Sequence, residues 1–310
     1  MSSYDRRHVD LRDETSSWTH VARQVGAGAD VVDLGCWDGL LLAALVREAG
    51  CRGVGVERDA EAAGRARARG LEVVAADLDA PDWPAALGGR RFGVVVLADV
   101  VEHVRDPVGV LTAIRTRVLA PGGRVVLSVP NVAHGSVRLG LLLGAFERDD
   151  TGVLDRTHLH FWTRTTFEAV LARAGLGVVA ASRVERPLQP EVVEKALGAA
   201  GLASDALVAH LVDDADARTF QWVVSATEAA AGARPPSAPA LHRDPLRVGD
   251  RAIARHVRKI GVLQERVRVL EVGGPFGWLR YARLRAGQWR AQRRARRRAA
   301  RRGDDGAGPA

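Results

Sequence analysis

Residues 29–39 read ADVVDLGCWDG. An unbroken apolar run ends at a glycine, as a strand buried on both faces does. The chain then opens LLLAALVREAG (40–50), whose apolar spacing is helical and which stops at Gly50. The same alternation continues. CRGVGVE (51–57) predicts a second strand, AEAAGRARARG (60–70) a helix, LEVVAADL (71–78) a third strand and FGVVVLADV (92–100) a fourth. PVGVLTAIRTRVL (107–119) starts with proline, suited to the first turn of a helix, and APGG (120–123) turns the chain. GRVVLSVPN (123–131) predicts a fifth strand and TRTTFEAVLARAGL (163–176) a helix capped by Thr163. LGVVAASRV (176–184) and RTFQWVVSAT (218–227) predict two more strands, and Ser16–Val25 a helix capped by Ser16 or Ser17. Strands alternating with helices predict an α/β fold with a doubly wound, mostly parallel seven-stranded sheet. Residues 132–162 are long for a loop and are expected to cover a site. Residues 187–217 are expected to hold short helices.

Composition divides the chain. Its 310 residues carry 45 Lys+Arg and 37 Asp+Glu, a net charge of +8. Residues 241–310 hold 19 basic and 6 acidic side chains, so the rest of the chain is net acidic. The domain reading is an α/β domain over 1–228, a linker over 229–245 (AAAGARPPSAPA at 229–240), and a helical, Arg-rich extension over 246–310. In the extension Ile253, Val257, Ile260, Val267 and Leu270 fall at heptad-like spacing, which permits a homodimer. Trp278, Tyr281 and Trp289 lie among arginines, which suits an anionic membrane surface, with nucleic acid phosphates as the second partner class and a solvated tail as the bland alternative. Two cysteines, Cys36 and Cys51, make neither a disulfide scaffold nor a thiolate zinc site. The opening MSSYDRRHVDLRDE is too charged for a signal peptide, and no apolar run reaches the roughly 18–20 residues of a membrane span. The expected location is cytoplasmic, peripheral at the inner membrane face if the tail binds lipid.

Asp33-Leu34-Gly35-Cys36-Trp37-Asp38-Gly39 lets a ligand approach the backbone where a helix begins. The second strand ends at Glu57, 18 residues after Gly39, where a carboxylate can accept both hydroxyls of a ribose. The third ends in Asp77-Leu78, where Asp77 could accept from the exocyclic amine of a base. Acids at three neighbouring strand ends would line one crevice. On these residues the chain resembles the class I S-adenosylmethionine-dependent methyltransferases from about residue 15 to 228. Gly-x-Gly-x-x-Gly is absent, and a row of acids suits a sulfonium cofactor better than a pyrophosphate. The resemblance implies a cofactor set of Asp33, Gly35, Cys36, Gly39, Glu57, Arg58, Asp77, Leu78 and Asp99. Trp37 stands where many relatives have a small residue, and is expected to narrow the site around the methionine moiety.

Asp99-Val100-Val101-Glu102-His103 follows the fourth strand. It is similar to the acid-x-x-Glu-His motif of the ubiquinone-pathway O-methyltransferases and of the small-RNA 3′-terminal 2′-O-methyltransferases. That resemblance implies a divalent metal, such as magnesium, on Glu102, His103 and His158. Asp99 is one methylene shorter than the family's glutamate. Two other readings stay open: His103 as a metal-free general base, or as the cap of the next helix. Leu154-Asp155-Arg156-Thr157-His158-Leu159-His160-Phe161-Trp162-Thr163, with Ser128–His134 before it, resembles bacterial methyltransferases found with glycosyltransferases. His158 and His160 alternate, so only one is expected to face the site, and His134 is a third candidate. His158 also reads as a loop hydrogen-bonder, Asp155–Arg156 as a surface ion pair, and His20 as structural. The expected activity is O-methylation of a sugar or cell-surface glycan precursor, with Glu102, His103 and His158 catalytic. The alternatives are an RNA 2′-O-methyltransferase, an O-methyltransferase of a small aromatic, isoprenoid or natural-product hydroxyl, and a non-enzymatic adaptor.

Overall fold

The computed structural model describes residues 9–229. Seven strands form one sheet: β1 (Asp30–Leu34), β2 (Arg52–Glu57), β3 (Glu72–Ala75), β4 (Phe92–Ala98), β5 (Leu119–Pro130), β6 (Leu176–Glu185) and β7 (Thr219–Glu228). Their order is β3-β2-β1-β4-β5-β7-β6. The first five are parallel, and β7 runs antiparallel between β5 and β6. Strand order reverses between β1 and β4, which opens a crevice at the carboxyl ends of those two strands.

Burial follows the period of two that strands impose. Val32 and Leu34 of β1 face one core with Val95, Leu97, Leu111, Trp162 and Phe167. Val31 faces the other with Val21, Val25, Leu41 and Leu45. The helices α1 (Ser17–Val25) and α2 (Leu40–Glu48) cover this second face, while α4 (Pro107–Ala113) and α6 (Arg164–Arg173) supply side chains to the first. Between them in the chain, α3 (Ala60–Ala68) packs Ala63 and Ala66 on Cys36 and Val73. Thr163 caps α6 as expected, in a reciprocal box with Thr166. Ser16 holds the cap position of α1, but its side chain makes no cap bond.

Three boundaries differ from the sequence reading. β3 stops at Ala75, two residues before Asp77, and β4 at Ala98, just before Asp99. β5 starts at Leu119 rather than Gly123, because Leu119 already pairs with Phe92 before the register shifts at Val94. The segment 132–162 is not all loop, since α5 (Gly135–Leu142) lies within it. Residues 187–217 hold α7 (Pro190–Ala199), α8 (Asp205–Val212) and α9 (Ala215–Arg218), as expected. Among the described residues no helix is long and apolar enough to cross a membrane. The heptad segment, the basic extension and nearly all of the linker lie outside the described residues.

Gly39 has φ +75°, and a Cβ on it would stand 2.8 Å from the Cβ of Ala66 and 2.5 Å from Leu71 Cδ1. Gly28 also has positive φ but nothing within 4 Å. Gly39→Ala should therefore lose about 3 kcal/mol, left-handed strain plus overpacking, and Gly28→Ala only about 1 kcal/mol. Chemical denaturation of the two variants checks the order.

Candidate active site

Two loops meet at the mouth of the crevice. The first, residues 35–39, leaves β1. A Cβ on Gly35 would stand 2.8 Å from Val100 Cγ2 in the second loop, so the glycine is what lets the loops touch. Trp37 and Asp99 are the non-glycine residues with positive φ among those described, at 48° and 57°. They follow the two strands that flank the crevice. Backbone strain of this kind clusters at ligand sites.

Glu57 links the first loop to the start of α3. One carboxylate oxygen accepts from the Trp37 N–H at 2.9 Å and the other from the Asp59 N–H at 2.8 Å. Each oxygen keeps a further lone pair for a ribose hydroxyl, so the residue still fits that role. Asp33 is buried beside it. Burial, then the charge of Glu57, raises its carboxyl pKa to about 7. Cys36 is buried, which pushes its thiol far up and makes it inert packing rather than a nucleophile. Arg58, Asp59, Ala75, Ala76 and Asp77 line an open cleft of about 530 Å³. Arg58 and Asp77 pair across it at 3.7 Å, both largely exposed. Leu78 packs against the first core from its rim.

The second loop carries Glu102. It is 0% exposed, and neither carboxylate oxygen has a hydrogen-bond partner. Burial, then the charges of Asp99 and Asp155, holds its pKa well above the usual carboxylate range. Ligand atoms of Glu102, His103 and His158 lie within 4.8 Å of one another. His103 Nδ1 faces the carbonyl of Thr157 at 3.3 Å, and His158 Nδ1 that of Val153 at 3.1 Å. A carbonyl only accepts, so each Nδ1 carries the proton and each Nε2 presents a lone pair. Burial keeps both imidazoles below their ordinary pKa, hence neutral. An unpartnered carboxylate beside two lone pairs oriented from behind is what a divalent cation requires.

The segment between α5 and α6 holds this cluster from above. Leu159 N–H donates to the Glu102 carbonyl at 2.8 Å. Arg148 Nη2 donates to the carbonyls of Asp155, Arg156 and His158 at 2.7–2.9 Å. Phe161 stands between His158 and Phe146, with ring centroids 6.2 and 6.0 Å away. Leu141, Phe146 and Leu159 leave about half of their surface in solvent.

A family model described as a methyltransferase domain matches residues 8–181. The chain belongs to this family. It is a class I S-adenosylmethionine-dependent methyltransferase by that match and by its sheet order. It is similar to a ubiquinone biosynthesis O-methyltransferase of Cereibacter sphaeroides (strain ATCC 17025 / ATH 2.4.3), with 40% identity over 112 residues, 34% of this chain and 42% of the relative. The enzyme of the same name from Aeromonas salmonicida (strain A449) is 33% identical over 122 residues, 38% of this chain and 50% of the relative. The chain thus spans about half the length of the curated relatives it matches. A solved S-adenosylmethionine-dependent methyltransferase from Archaeoglobus fulgidus gives a TM-score of 0.49 at 14% identity, covering 70% of this chain and 94% of that one.

Within this methyltransferase the expected residues divide. Asp33, Gly35, Gly39, Glu57, Arg58 and Asp77 lie at the β1–β3 end of the crevice, and Glu102, His103 and His158 form the cluster. Asp99, expected in the cofactor set, follows β4 directly. Its Oδ1 accepts from Ser128 Oγ at 3.0 Å and from Gln221 Nε2, which ties it to β5 and β7. His160 turns to the Val104 carbonyl and stacks on Trp162, as the alternation implied. His134 caps α5 and meets the Arg186 carbonyl. His20 meets the Glu14 carbonyl, which is the structural role expected of it. Asp155 and Arg156 are not an ion pair. Asp155 is buried, where Thr157's hydroxyl and amide outweigh burial and keep it ionised, while Arg156 reaches Asp150. Arg148 and Gln221 were not foreseen, because a lone Arg in a polar run and a Gln inside a strand carry no motif.

The raised Asp33 pKa has a stability consequence. The unfolded carboxyl ionises near 3.8 and the folded one near 7, so its contribution is present at low pH and fades as pH rises to about 7. From pH 5 to 8 this removes about 2–3 kcal/mol. Asp33→Asn should flatten that decline, measured by denaturant unfolding of the free chain at the two pH values.

Proposed function

We propose that this methyltransferase moves a methyl group from S-adenosylmethionine to a hydroxyl oxygen, with Glu102, His103 and His158 holding a divalent cation at the acceptor end. The observation that carries the reading is Glu102, a fully buried carboxylate whose oxygens have no partner. A cation is the economical partner for it, since an uncompensated buried charge is expensive. The donor set of one carboxylate and two imidazoles suits a borderline ion such as zinc better than magnesium, which prefers oxygen, with manganese between them in the order of affinities. When bound, the ion would lower the pKa of the acceptor hydroxyl. The names of the curated relatives support oxygen as the atom methylated.

The cofactor supplies a methyl carbon already activated by its sulfonium charge. The chain's task is therefore placement and charge. Glu57 accepts from the ribose. Asp33, ionised once a cationic cofactor lies near, balances that charge. The hydroxyl oxygen forms the new bond to carbon, the carbon–sulfur pair leaves with sulfur, and the hydroxyl proton passes to solvent. In the metal-free variant of this reading, His103 Nε2 takes that proton, which its neutral state permits.

For the acceptor, the half-exposed Leu159, whose N–H meets the Glu102 carbonyl, and Phe146, which packs on Phe161, favour a hydroxyl on a molecule with an apolar face, such as a small aromatic. The sugar or glycan acceptor rests on the sequence resemblance of Ser128–His134 and Leu154–Thr163, and the RNA and lipid-surface readings rest on the extension. Calorimetry of the full chain with S-adenosylhomocysteine should show one site, and Glu57→Ala should weaken it at least tenfold, about 1.4 kcal/mol. Zinc or manganese should bind the parent and fail to bind Glu102→Gln or His158→Ala. Absence of cofactor binding by the parent would sink the reading, and equal metal binding by all three proteins would leave only the metal-free variant. Mass spectrometry on catechol-like, sugar and RNA hydroxyls identifies the acceptor.

A further inference from the structure

One face of α3 grips the cofactor loop from the side away from Glu57. Arg69, at the carboxyl end of that helix, donates Nε to the Asp38 carbonyl and Nη2 to its carboxylate, both at 2.8 Å. The pair is largely shielded, with 31% and 14% of the side chains exposed. One turn earlier the guanidinium of Arg65 lies 5.7 Å from the centre of the Trp37 ring. Ala66 meets Gly39 so closely that no Cβ fits there. Residues 65, 66 and 69 thus hold loop residues 37, 39 and 38. The other oxygen of Asp38 faces Leu40 N–H at the start of α2, at 3.4 Å. Arg47 of α2 donates to the Arg69 carbonyl at 3.0 Å, which steadies the clamp from behind.

These contacts close a ring. Glu57 ties Trp37 to Asp59, Asp59 caps α3 by accepting from Ala62 N–H, and α3 returns through Arg69 to Asp38. Asp59, two residues after the ribose acid, and the loop that faces the cofactor are therefore joined through one braced helix. We propose that Arg69 is a positioning residue for cofactor binding: through Asp38 it fixes the loop so that the Trp37 amide and the Glu57 carboxylate stay aligned, although Arg69 itself sits outside the crevice. The inference rests on the crevice being the cofactor site. A planar guanidinium that bonds a carbonyl and a carboxylate at once is not replaced by an ammonium, so lysine should restore only part of the effect.

The experiment is calorimetry with S-adenosylhomocysteine on the full chain, beside thermal unfolding of the free proteins. Arg69→Ala should weaken binding about tenfold and Arg69→Lys about threefold. Asp38→Asn should match Arg69→Ala, and the double variant should be no worse than either single one, since both remove one contact. Arg90→Ala breaks an ion pair of 2.6 Å to Glu72 that does not touch the loop, and should leave the affinity unchanged. Affinity within twofold of the parent in both Arg69→Ala and Asp38→Asn overturns the proposal. Equal weakening by Arg90→Ala overturns it too, because the effect would then be general loosening. If the parent does not bind S-adenosylhomocysteine, the reading of the crevice fails first, a result distinct from either of these.

Discussion

The close passage of Gly35 under Val100 governs how the crest of this sheet is built. Strand order reverses between β1 and β4, so the loops leaving them must diverge to opposite faces from adjacent starting points. They can begin side by side only if one of them lacks a side chain there. With Gly35 in place, the first loop turns toward β2 and brings Trp37 N–H onto Glu57, and the second turns over β5 and carries Glu102 and His103 toward the covering segment. The Glu57 end and the Glu102 end are thus separated by one tight contact.

The two ends treat buried acids differently. Glu57 is buried but fed by two backbone amides, so its charge is compensated within the chain. Asp33 and Glu102 are buried with raised pKa, so in each the charged form is costly unless a cation lies beside it. Two such groups at one crevice suit the positively charged occupants proposed above. Arg58, which lines the cleft, is already turned to Asp77.

Much of this was legible in the sequence. Apolar runs closed by glycine located the first strands and helices, because a parallel sheet leaves no room for polar alternation. The acids were legible because each stands at or just past the end of an apolar run, and the Glu-His pair because its two residues are neighbours in the chain. His158 was legible through its own local pattern, and the structure brings it to His103 with ring centroids 4.8 Å apart. What could not be read were partners that only folding supplies. Gln221, which β7 delivers to Asp99, lies 122 residues away in the chain. Asp155 and Arg156 look like a pair until the buried turn around Thr157 separates them. Arg69 is one arginine among several on a polar helix, and nothing local distinguishes it from Arg65 or Arg67.

The insertion of β7 between β5 and β6 has a consequence in time. During synthesis the chain can assemble β1 to β5 as each strand emerges, since every one of them adds to an existing neighbour. The strand beside β5 is the last of the seven to be made, and β6 has no place in the sheet until it arrives. Gln221 reaches Asp99 only then. A nascent chain stopped short of residue 219 would hold the five parallel strands paired, with β6 still outside the sheet.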